Sequence, residues 1–444
     1  MSNRRKITPT FWIFWFAFLL RAAWVLTLDN VLVWPDEQEF AAIAGHLAAG
    51  DGYVSNSYRS NPVVPVYLAF FLKFVGPDWL IPRIGQAAIG AATCALLARL
   101  TTRLANPTAG VIAGLVLAVY PAHIYMSGVF YVACIATYLS VLGIWLVVQL
   151  PDSQRRMKLA VAAGLVLGLC ALTRATFLAY LPLAPLAVLW AAKRRWTKLL
   201  PASTVMFAVS LAVVVPWALR NSVMYGQPML ISSGLWETLW KGNNELANGG
   251  ADDRNMVWGN YVWNERLAEL APGERAVIVE RYDRITADVE EAYGRNGDVY
   301  LARDEVLRPV VIELITKDPA RFASLFGAKV ITLFEAFSKT EKTNASTSSG
   351  KQLVAAVSFY PVLLLALAGM ILVAGQHRRF MAIHLYLASF VFVYAMLTAC
   401  TRFRLPIDPF LIVFAAIACD RITVRVFGLQ TRSARMLGRV GART

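Results

Sequence analysis

Three carboxylates lie close together in the stretch Trp34 to Glu39, directly after the first long apolar block of the sequence. A positioned carboxylate can take a proton from a reacting hydroxyl group, so Asp36, with Glu37 as its orienting or metal-assisting neighbour, is the first candidate for catalysis. Acids beside an apolar block are costly unless they are used or hydrated. The alternative is a solvated helix start, with Pro35 in the first turn and the acids favouring the helix dipole.

Cationic and amide side chains that could bind a phosphate or a polar substrate lie in three other places. Guanidinium groups match phosphate oxygens, so the candidates for a phosphate are Arg59, Arg402 and Arg404. The candidates for substrate contacts are Lys241, Asn243 and Asn244. The alternative for any single arginine is a cation at a helix end that reaches toward the membrane interface. His123 is interpreted as a packing residue, because no second histidine or acid lies near it in sequence.

The elements that position these residues are apolar. Of the 444 residues, 57% are hydrophobic and 16% are charged, with a mean hydropathy of +0.52, which is typical of multi-span membrane proteins. The net charge of +15 does not indicate nucleic acid, because the basic residues form short clusters between apolar blocks rather than one polar face. The five cysteines have no metal-type spacing and are interpreted as small apolar fillers.

Ten apolar blocks have the length of a membrane-spanning helix. About 20 apolar residues cross the roughly 30 Å hydrocarbon layer as a helix. The sequence therefore predicts an all-α polytopic membrane protein with about ten spans. The predicted spans are 11–29, 84–104, 108–125, 130–150, 159–173, 176–192, 199–218, 353–374, 380–399 and 406–420.

The connecting segments alternate in charge. Basic clusters come before the first span and after every second span thereafter, so they fall on one side of the membrane. By the positive-inside rule this side is the cytoplasm, and both termini lie in it. Of the 28 acids, 19 lie between Glu237 and Glu341, in one long loop on the opposite side. The first apolar run has a basic start and no small-residue cleavage site, so we expect it to remain as the first span.

Three regions follow from this topology. Residues 1–218 form an N-terminal transmembrane module whose first outer loop, 30–83, carries Asp36. The stretch Val63 to Val75 is too short to span easily and is predicted to be an interfacial or re-entrant helix of that loop. Residues 219–352 form a helical outer loop, and 353–444 form a C-terminal module with a basic cytoplasmic tail.

An ordered set of short motifs runs along nearly the whole chain. It consists of Asp36-Glu37, the turn at Gly50 with Arg59, Tyr120-Pro121, Leu172-Thr173-Arg174, Pro216-Trp217 with Arg220-Asn221, Gly242-Asn243-Asn244 and Arg404-Leu405-Pro406. This set resembles the GT-C fold glycosyltransferases of the protein O-mannosyltransferase and aminoarabinose transferase superfamily, especially their small bacterial members.

The resemblance implies an active site on the outer, periplasmic face of a bacterial inner membrane, a polyprenyl-phosphate sugar donor and an essential acid at Asp36. The acceptor would be a lipid, a protein or a glycan, and membrane lipids surround the chain. Many relatives carry a second acid between the third and fourth spans, where this chain has Tyr125-Met126-Ser127-Gly128 and no carboxylate. The metal site is therefore unknown, although a divalent metal ion remains an option.

Glycosyl transfer from a lipid phosphate needs a base for the acceptor and cations for the departing phosphate. We expect Asp36 to be the base of an inverting hexosyl- or pentosyltransferase. A transporter or lipid flippase is the main alternative, and an O-antigen-ligase-like protein and an inert membrane scaffold are the others. The lack of paired halves or charges near the span centres disfavours a transporter.

Overall fold

The computed structural model describes residues 8–54, 61–250, 265–337 and 349–427, and these contain helices and turns but no β-strand. The first nine helices are α1 (Pro9–Val25), α2 (Pro35–Ala49), α3 (Val63–Phe74), α4 (Leu80–Leu104), α5 (Pro107–Ala118), α6 (Pro121–Tyr125), α7 (Val132–Gln149), α8 (Arg156–Thr173) and α9 (Leu183–Ala191). The other nine are α10 (Trp196–Tyr225), α11 (Leu235–Asn243), α12 (Glu265–Glu269), α13 (Pro272–Asn296), α14 (Val299–Lys317), α15 (Pro319–Leu333), α16 (Ser349–Leu372), α17 (His377–Met396) and α18 (Asp408–Phe427).

A helix or helix pair is present at each of the ten predicted spans, which confirms the all-α class. Six stretches among the described residues are long and apolar enough to cross a membrane, and they contain α4, α7, α8, α10, α16 and α17. Shorter apolar helices occur at Pro9–Val25, Val63–Phe74, Pro107–Ala118 and Ala175–Ala191. The chain is therefore a membrane protein built as a helical bundle, and the count of ten spans stays a prediction.

The predicted span 108–125 is broken into α5 and α6. The break falls just before Pro121, which lacks an N–H to continue the helix. Arg21, buried in α1, donates from Nη1 to the Ala118 carbonyl at 3.0 Å and from Nη2 to the Leu117 carbonyl at 3.1 Å. Its guanidinium group thus satisfies backbone oxygens that the break leaves without helical partners. Arg21 lies near the centre of the predicted span 11–29, so the expectation that charges avoid the span centres is wrong at this residue.

Close helix packing in the bundle depends on small residues. Gly164 and Gly168 of α8 face α10, where an added Cβ would lie 2.5 Å from the Met206 carbonyl oxygen and 2.8 Å from that of Ser210. Glycine four residues apart lets two membrane helices bring their backbones together. This contact holds α10, whose 30 residues are longer than a bilayer core requires, so that its end reaches beyond the bundle.

The first outer loop contains two packed helices. A helix at Val63–Phe74 confirms the predicted short helix, and its interfacial or re-entrant placement stays a prediction. Helices α2 and α3 share a small hydrophobic cluster with the start of α7, made of Phe40, Ala44, Val64, Leu68, Phe130 and Ile135. This cluster fixes α2, and with it Asp36, against the bundle.

The long outer loop has its own hydrophobic cluster, which includes Trp240, Tyr282 and Val311 from α11, α13 and α14. Asp318-Pro319 is a typical helix start, and α15 begins there, with the Asp318 carboxylate accepting a hydrogen bond from the Arg321 N–H at 2.8 Å. The predicted boundaries at 218 and 352 fall inside α10 and α16, so the helices cross them. The division into three regions stays a prediction.

Candidate active site

Asp36 lies in the first turn of α2, and its side chain is exposed. Glu37, one residue later, is 1% exposed and faces the protein. Its Oε2 accepts from the N–H groups of Val33 and Trp34, at 3.2 and 3.1 Å, and its Oε1 accepts from the Phe130 N–H at 2.9 Å. The two neighbouring acids therefore differ in environment, because Glu37 caps α2 and ties it to the start of α7 while Asp36 faces outward.

Tyr131, the residue directly before α7, contacts Arg402, and its ring lies 6.4 Å from that of Trp34 at the start of α2. The exposed Arg402 side chain donates from Nη1 to the Tyr131 hydroxyl at 3.3 Å, with its guanidinium 5.5 Å from the Tyr131 ring centre. Burial and then the nearby Asp36 carboxylate raise the pKa of Tyr131 to about 12, although Arg402 opposes this shift. The Tyr131 phenol is therefore neutral at ordinary pH, with the Arg402 guanidinium hydrogen-bonded to it and the Asp36 carboxylate near enough to affect its charge.

Arg174, at the end of α8, adds a second cation to this rim. Its guanidinium lies 4.3 Å from the Phe403 ring centre and 5.3 Å from that of Tyr394. The Arg402 guanidinium lies 5.6 Å from the same Phe403 ring. Two guanidinium groups therefore pack around one aromatic ring, and an anion beside that ring could contact both.

Arg404 lies in the protein interior and is 5% exposed. Its Nε donates to Asp408 Oδ1 at 2.9 Å, and its Nη1 donates to the carbonyls of Leu333 and Glu335 at 3.2 and 2.6 Å. The guanidinium lies 3.4 Å from the centre of the Phe359 ring. These contacts join the 401–404 turn to the end of α15 and to α16.

His123 is buried beside the same carboxylate. Its Nε2 lies 3.8 Å from Asp408 Oδ2, and its ring packs edge-on against Tyr120 at 5.6 Å. Asp408 is therefore the acidic neighbour of His123, although the two residues lie far apart in the sequence. The packing role expected of His123 stays a prediction.

Arg59 lies outside the described residues, in the segment 55–60. The turn just before this segment is held by α10, because Arg220 Nη2 donates to the Tyr53 carbonyl at 2.9 Å. The Arg220 guanidinium also packs on the Tyr53 and Trp217 rings, at 5.2 and 4.8 Å from their centres. Two of the motifs that suggested the resemblance, the Gly50 turn and the Pro216–Asn221 stretch, therefore meet in space.

The amides predicted to bind substrate hold the outer loop on the bundle. Asn243 is 3% exposed, and its side chain donates to the Met396 carbonyl at 3.1 Å and accepts from Lys329 Nζ at 2.8 Å. Lys329 Nζ also donates to the carbonyls of Met396 and Leu397, both at 3.2 Å. Burial, with the charge of Arg321 nearby, lowers the pKa of Lys329 to about 7, whereas its three oxygen acceptors favour the ammonium form.

Asn244 and Lys241 have partners within the same segment. Asn244 is fully buried, and its Oδ1 accepts from the Leu246 N–H at 2.9 Å. Lys241 Nζ lies 2.8 Å from Glu237 Oε1, four residues earlier on α11. The substrate-binding role of these three residues stays a prediction, and the contact of Asn243 with Met396 places this segment at the joint between the outer loop and α17.

Gly242 lets the outer loop approach this joint. A Cβ at this position would lie 1.8 Å from the Leu397 carbonyl oxygen and 3.3 Å from Thr398 Cα, both backbone atoms that cannot rotate away. We expect Gly242→Ala to destabilise the protein by about 1–3 kcal/mol, because this is the usual cost of overpacking a tight contact. Thermal unfolding of the purified protein measures the change. Gly273→Ala is the control, because nothing lies within 4 Å of its Cβ position. Equal melting temperatures for the two variants would contradict this contact.

The carboxylates of the site do not form a metal-binding set. No three His, Cys, Asp or Glu side chains in the described parts of the chain lie close enough to hold a metal ion. Both Glu37 oxygens already accept backbone hydrogen bonds, which leaves Asp36 as the available carboxylate at the rim. These residues alone do not supply the several oxygen ligands that a divalent ion requires.

Residues 59–219 match the model of the dolichyl-phosphate-mannose-protein mannosyltransferase family. The matched region contains Tyr131 and Arg174 and ends at Leu219, inside the Pro216–Asn221 stretch. It excludes Asp36 and the 401–404 turn. No curated protein is significantly similar to this chain in sequence. The assignment of roles to Asp36 and Arg402 therefore depends on the geometry.

Solved structures resemble the whole described fold. The Archaeoglobus fulgidus oligosaccharyltransferase, solved as a complex with Zn and sulfate, is 15% identical in sequence with a TM-score of 0.54. The match covers 96% of this chain and 51% of the oligosaccharyltransferase chain. The same organism's AglB with an inhibitory peptide and a dolichol-phosphate is 16% identical with a TM-score of 0.53, covering 98% and 52%. ArnT from Cupriavidus metallidurans bound to undecaprenyl phosphate is 16% identical with a TM-score of 0.44, covering 94% and 80%.

The chain spans about half the length of the oligosaccharyltransferases it matches, and at this identity the likeness shows the fold. That fold is the one predicted from the ordered motifs. The chain is therefore an all-helical membrane protein with the GT-C fold of membrane glycosyltransferases, and its residues 59–219 resemble the dolichyl-phosphate-mannose-protein mannosyltransferase family.

Proposed function

We propose that this protein is a glycosyltransferase that moves a sugar from a polyprenyl-phosphate donor to an acceptor on the periplasmic face of a bacterial inner membrane. The observation that carries the proposal is the contact of Arg402 with Tyr131, whose ring also packs against that of Trp34, two residues before Asp36. A base and a cation near one point are what transfer from a phosphate requires. The GT-C fold and the lipid phosphates named with similar structures support the choice of donor.

In the proposed reaction the acceptor hydroxyl attacks the anomeric carbon of the sugar. Asp36 takes the hydroxyl proton, the new bond from the acceptor oxygen to carbon forms, and the bond from carbon to the phosphate oxygen breaks. Both electrons of that bond leave with the polyprenyl phosphate. Attack opposite the departing phosphate inverts the anomeric carbon, as in glycosidases with one base and one leaving group on opposite faces.

Two arginines are assigned to the departing phosphate. Arg402 is exposed at the rim, and Arg174 packs around the same Phe403 ring. Guanidinium groups stabilise the negative charge that develops on a leaving phosphate. Of the other arginines predicted for this role, Arg59 stays a proposed ligand, and we assign Arg404 to holding the 401–404 turn because protein oxygens surround it.

The remaining residues position the reacting ones. Glu37 holds the first turn of α2 through three backbone N–H groups, and so sets where the Asp36 carboxylate lies. Tyr131 accepts from Arg402 and keeps that side chain near Asp36. The acceptor, a hydroxyl or phosphate on a lipid, a protein or a glycan, would approach from the outer side, where Asp36 is exposed.

The test is transfer from a radiolabelled donor. The purified full-length protein in liposomes is given polyprenyl-phosphate hexoses and pentoses in turn, with membrane extract as the acceptor source. Release of polyprenyl phosphate together with label in a new product supports the proposal. Label that only crosses the bilayer unchanged would instead identify a transporter or flippase.

Arg402→Ala is expected to lower kcat/KM for the donor about 10- to 100-fold, because the variant loses one hydrogen bond between charged groups. Folding should be retained, because Arg402 is exposed. The matched control is Arg308→Ala, which removes another exposed arginine that lies over an aromatic ring, that of Trp236 at 5.8 Å. Donor kinetics that are the same for both variants would exclude Arg402 from phosphate binding.

A further inference from the structure

A large cavity opens at the opposite end of the bundle from Asp36. Its volume is about 1960 Å³, and it lies between the end of α4, the end of α7, the joint of α9 with α10 and the joint of α16 with α17. Eight Lys and Arg residues line it, including Lys198, Arg194 and Arg378, against one described carboxylate, that of Asp152. Asp152 is already paired with Arg103. The cavity therefore carries a strong excess of positive charge.

Topology explains why these residues are basic and does not explain why they converge. The positive-inside rule requires cations in the loops of one side, at any position in those loops. Arg155 and Lys158 satisfy the rule from exposed positions outside the cavity. The lining cations instead come from separate segments and surround one space, where their mutual repulsion costs free energy unless an anion is present.

The backbone at the cavity wall is strained. Lys193, between α9 and α10, has φ of +52°, and it is the one non-glycine residue with positive φ in the described parts of the chain. A left-handed conformation in a residue with a long side chain persists where the surrounding structure enforces it, and such positions cluster at binding sites. The strain turns the chain so that three successive cations, Lys193, Arg194 and Arg195, border the same space.

The cavity walls are apolar below the cations. Trp190, Leu186 and Val148 are among the lining residues, and the Arg378 guanidinium lies 5.9 Å from the centre of the Trp190 ring. A soluble phosphate would use the cations alone, whereas a lipid would also cover the apolar walls. Basic pockets between membrane helices are suited to phosphate head groups of anionic lipids.

We propose that this cavity is a binding site for an anionic phospholipid, with its phosphate among the basic residues and its acyl chains on the apolar walls. The site is separate from the proposed sugar transfer, and it requires no chemistry. Each basic residue near a lipid phosphate contributes roughly fivefold to affinity.

Native mass spectrometry of the purified full-length protein measures lipid retention directly. The probes are dioleoylphosphatidylglycerol, which is anionic, and dioleoylphosphatidylcholine, which has no net charge. The cavity variant Lys198→Gln/Arg378→Gln is expected to bind phosphatidylglycerol about 25-fold more weakly than the wild type. The matched control Arg155→Gln/Lys158→Gln removes the same charge from the same end of the bundle and is expected to change binding less than about twofold.

Each result decides the proposal. Selective retention of phosphatidylglycerol by the wild type and the control, but not by the cavity variant, supports it. If the control variant bound phosphatidylglycerol as weakly as the cavity variant, surface charge alone would explain the binding and the proposal would be wrong. If the wild type retained phosphatidylcholine equally well, apolar contact alone would explain the binding and the proposal would also be wrong. Protection of the wild type against thermal unfolding by inorganic phosphate, equal to that by phosphatidylglycerol, would identify a soluble ligand instead. Arg194→Gln/Arg195→Gln is the second cavity variant if the first does not fold.

Discussion

Asp36→Asn is expected to lower the rate of sugar transfer by at least about 100-fold, because general-base catalysis contributes about 10²–10⁴. The amide has the size of the carboxylate but cannot take a proton. Asp36 is exposed, and the contacts that hold α2 come from Glu37, so the fold should not change. The measurement is turnover of labelled donor by the purified protein, with the melting temperature recorded for the same samples.

Asp51→Asn is the matched control, because it removes another exposed acid from the same outer loop. Asp51 lies 3.1 Å from His46 Nδ1, and an exposed pair of this kind contributes little to stability. We expect this variant to transfer sugar at the wild-type rate. Equal rates for the two variants would remove Asp36 from the mechanism, and equal losses would mean that the loop, rather than the base, had been disturbed.

The helices could be predicted from sequence because each one depends on local composition. Runs of about 20 apolar residues have few alternatives to a helix in a membrane, since no water satisfies their backbone groups. The short helix after Pro62 and the start at Asp318-Pro319 also follow from local signals. Hydropathy alone does not predict the break between α5 and α6, because the apolar run is continuous there, although Pro121 marks the start of α6.

The site could be predicted only in part, because its contacts join residues far apart in the chain. Arg402 and Tyr131 are 271 residues apart, and Tyr131 carries no motif that would single it out. Arg174 lies in the Leu172-Thr173-Arg174 motif, and its residue type and spacing do not indicate a partner. Because the outer ends of the helices share one rim in the predicted topology, that topology already predicts both Tyr131 and Arg174 at the rim.

Burial is the property that the sequence indicated least well. The neighbours Arg402 and Arg404 are alike in type, yet one is exposed and the other is 5% exposed. The short 3-10 turn at Thr401–Arg404 makes this difference, because it turns successive side chains to different sides. The same holds for Asp36 and Glu37, where the helix start exposes one acid and buries the other.

Arg404→Ala is expected to destabilise the protein by about 3–5 kcal/mol, because it leaves the Asp408 carboxylate buried without its cation. Asp408 is 1% exposed, and the carbonyls of Leu333 and Glu335 would also lose a donor. The measurement is thermal unfolding in detergent, with transfer expressed per folded molecule. We expect a large fall in melting temperature and transfer per folded molecule close to that of the wild type.

The double variant Arg404→Met/Asp408→Leu separates a structural role from phosphate binding. Replacing a buried ion pair with apolar residues of similar size costs far less than removing one partner, so the double variant should recover most of the lost stability. If Arg404 bound the donor phosphate, the recovered protein would still lose donor affinity, because the guanidinium group is gone. Recovery of both stability and donor use would leave Arg402 and Arg174 as the cations that hold the phosphate, and Arg404 as the residue that holds the turn on which Arg402 lies.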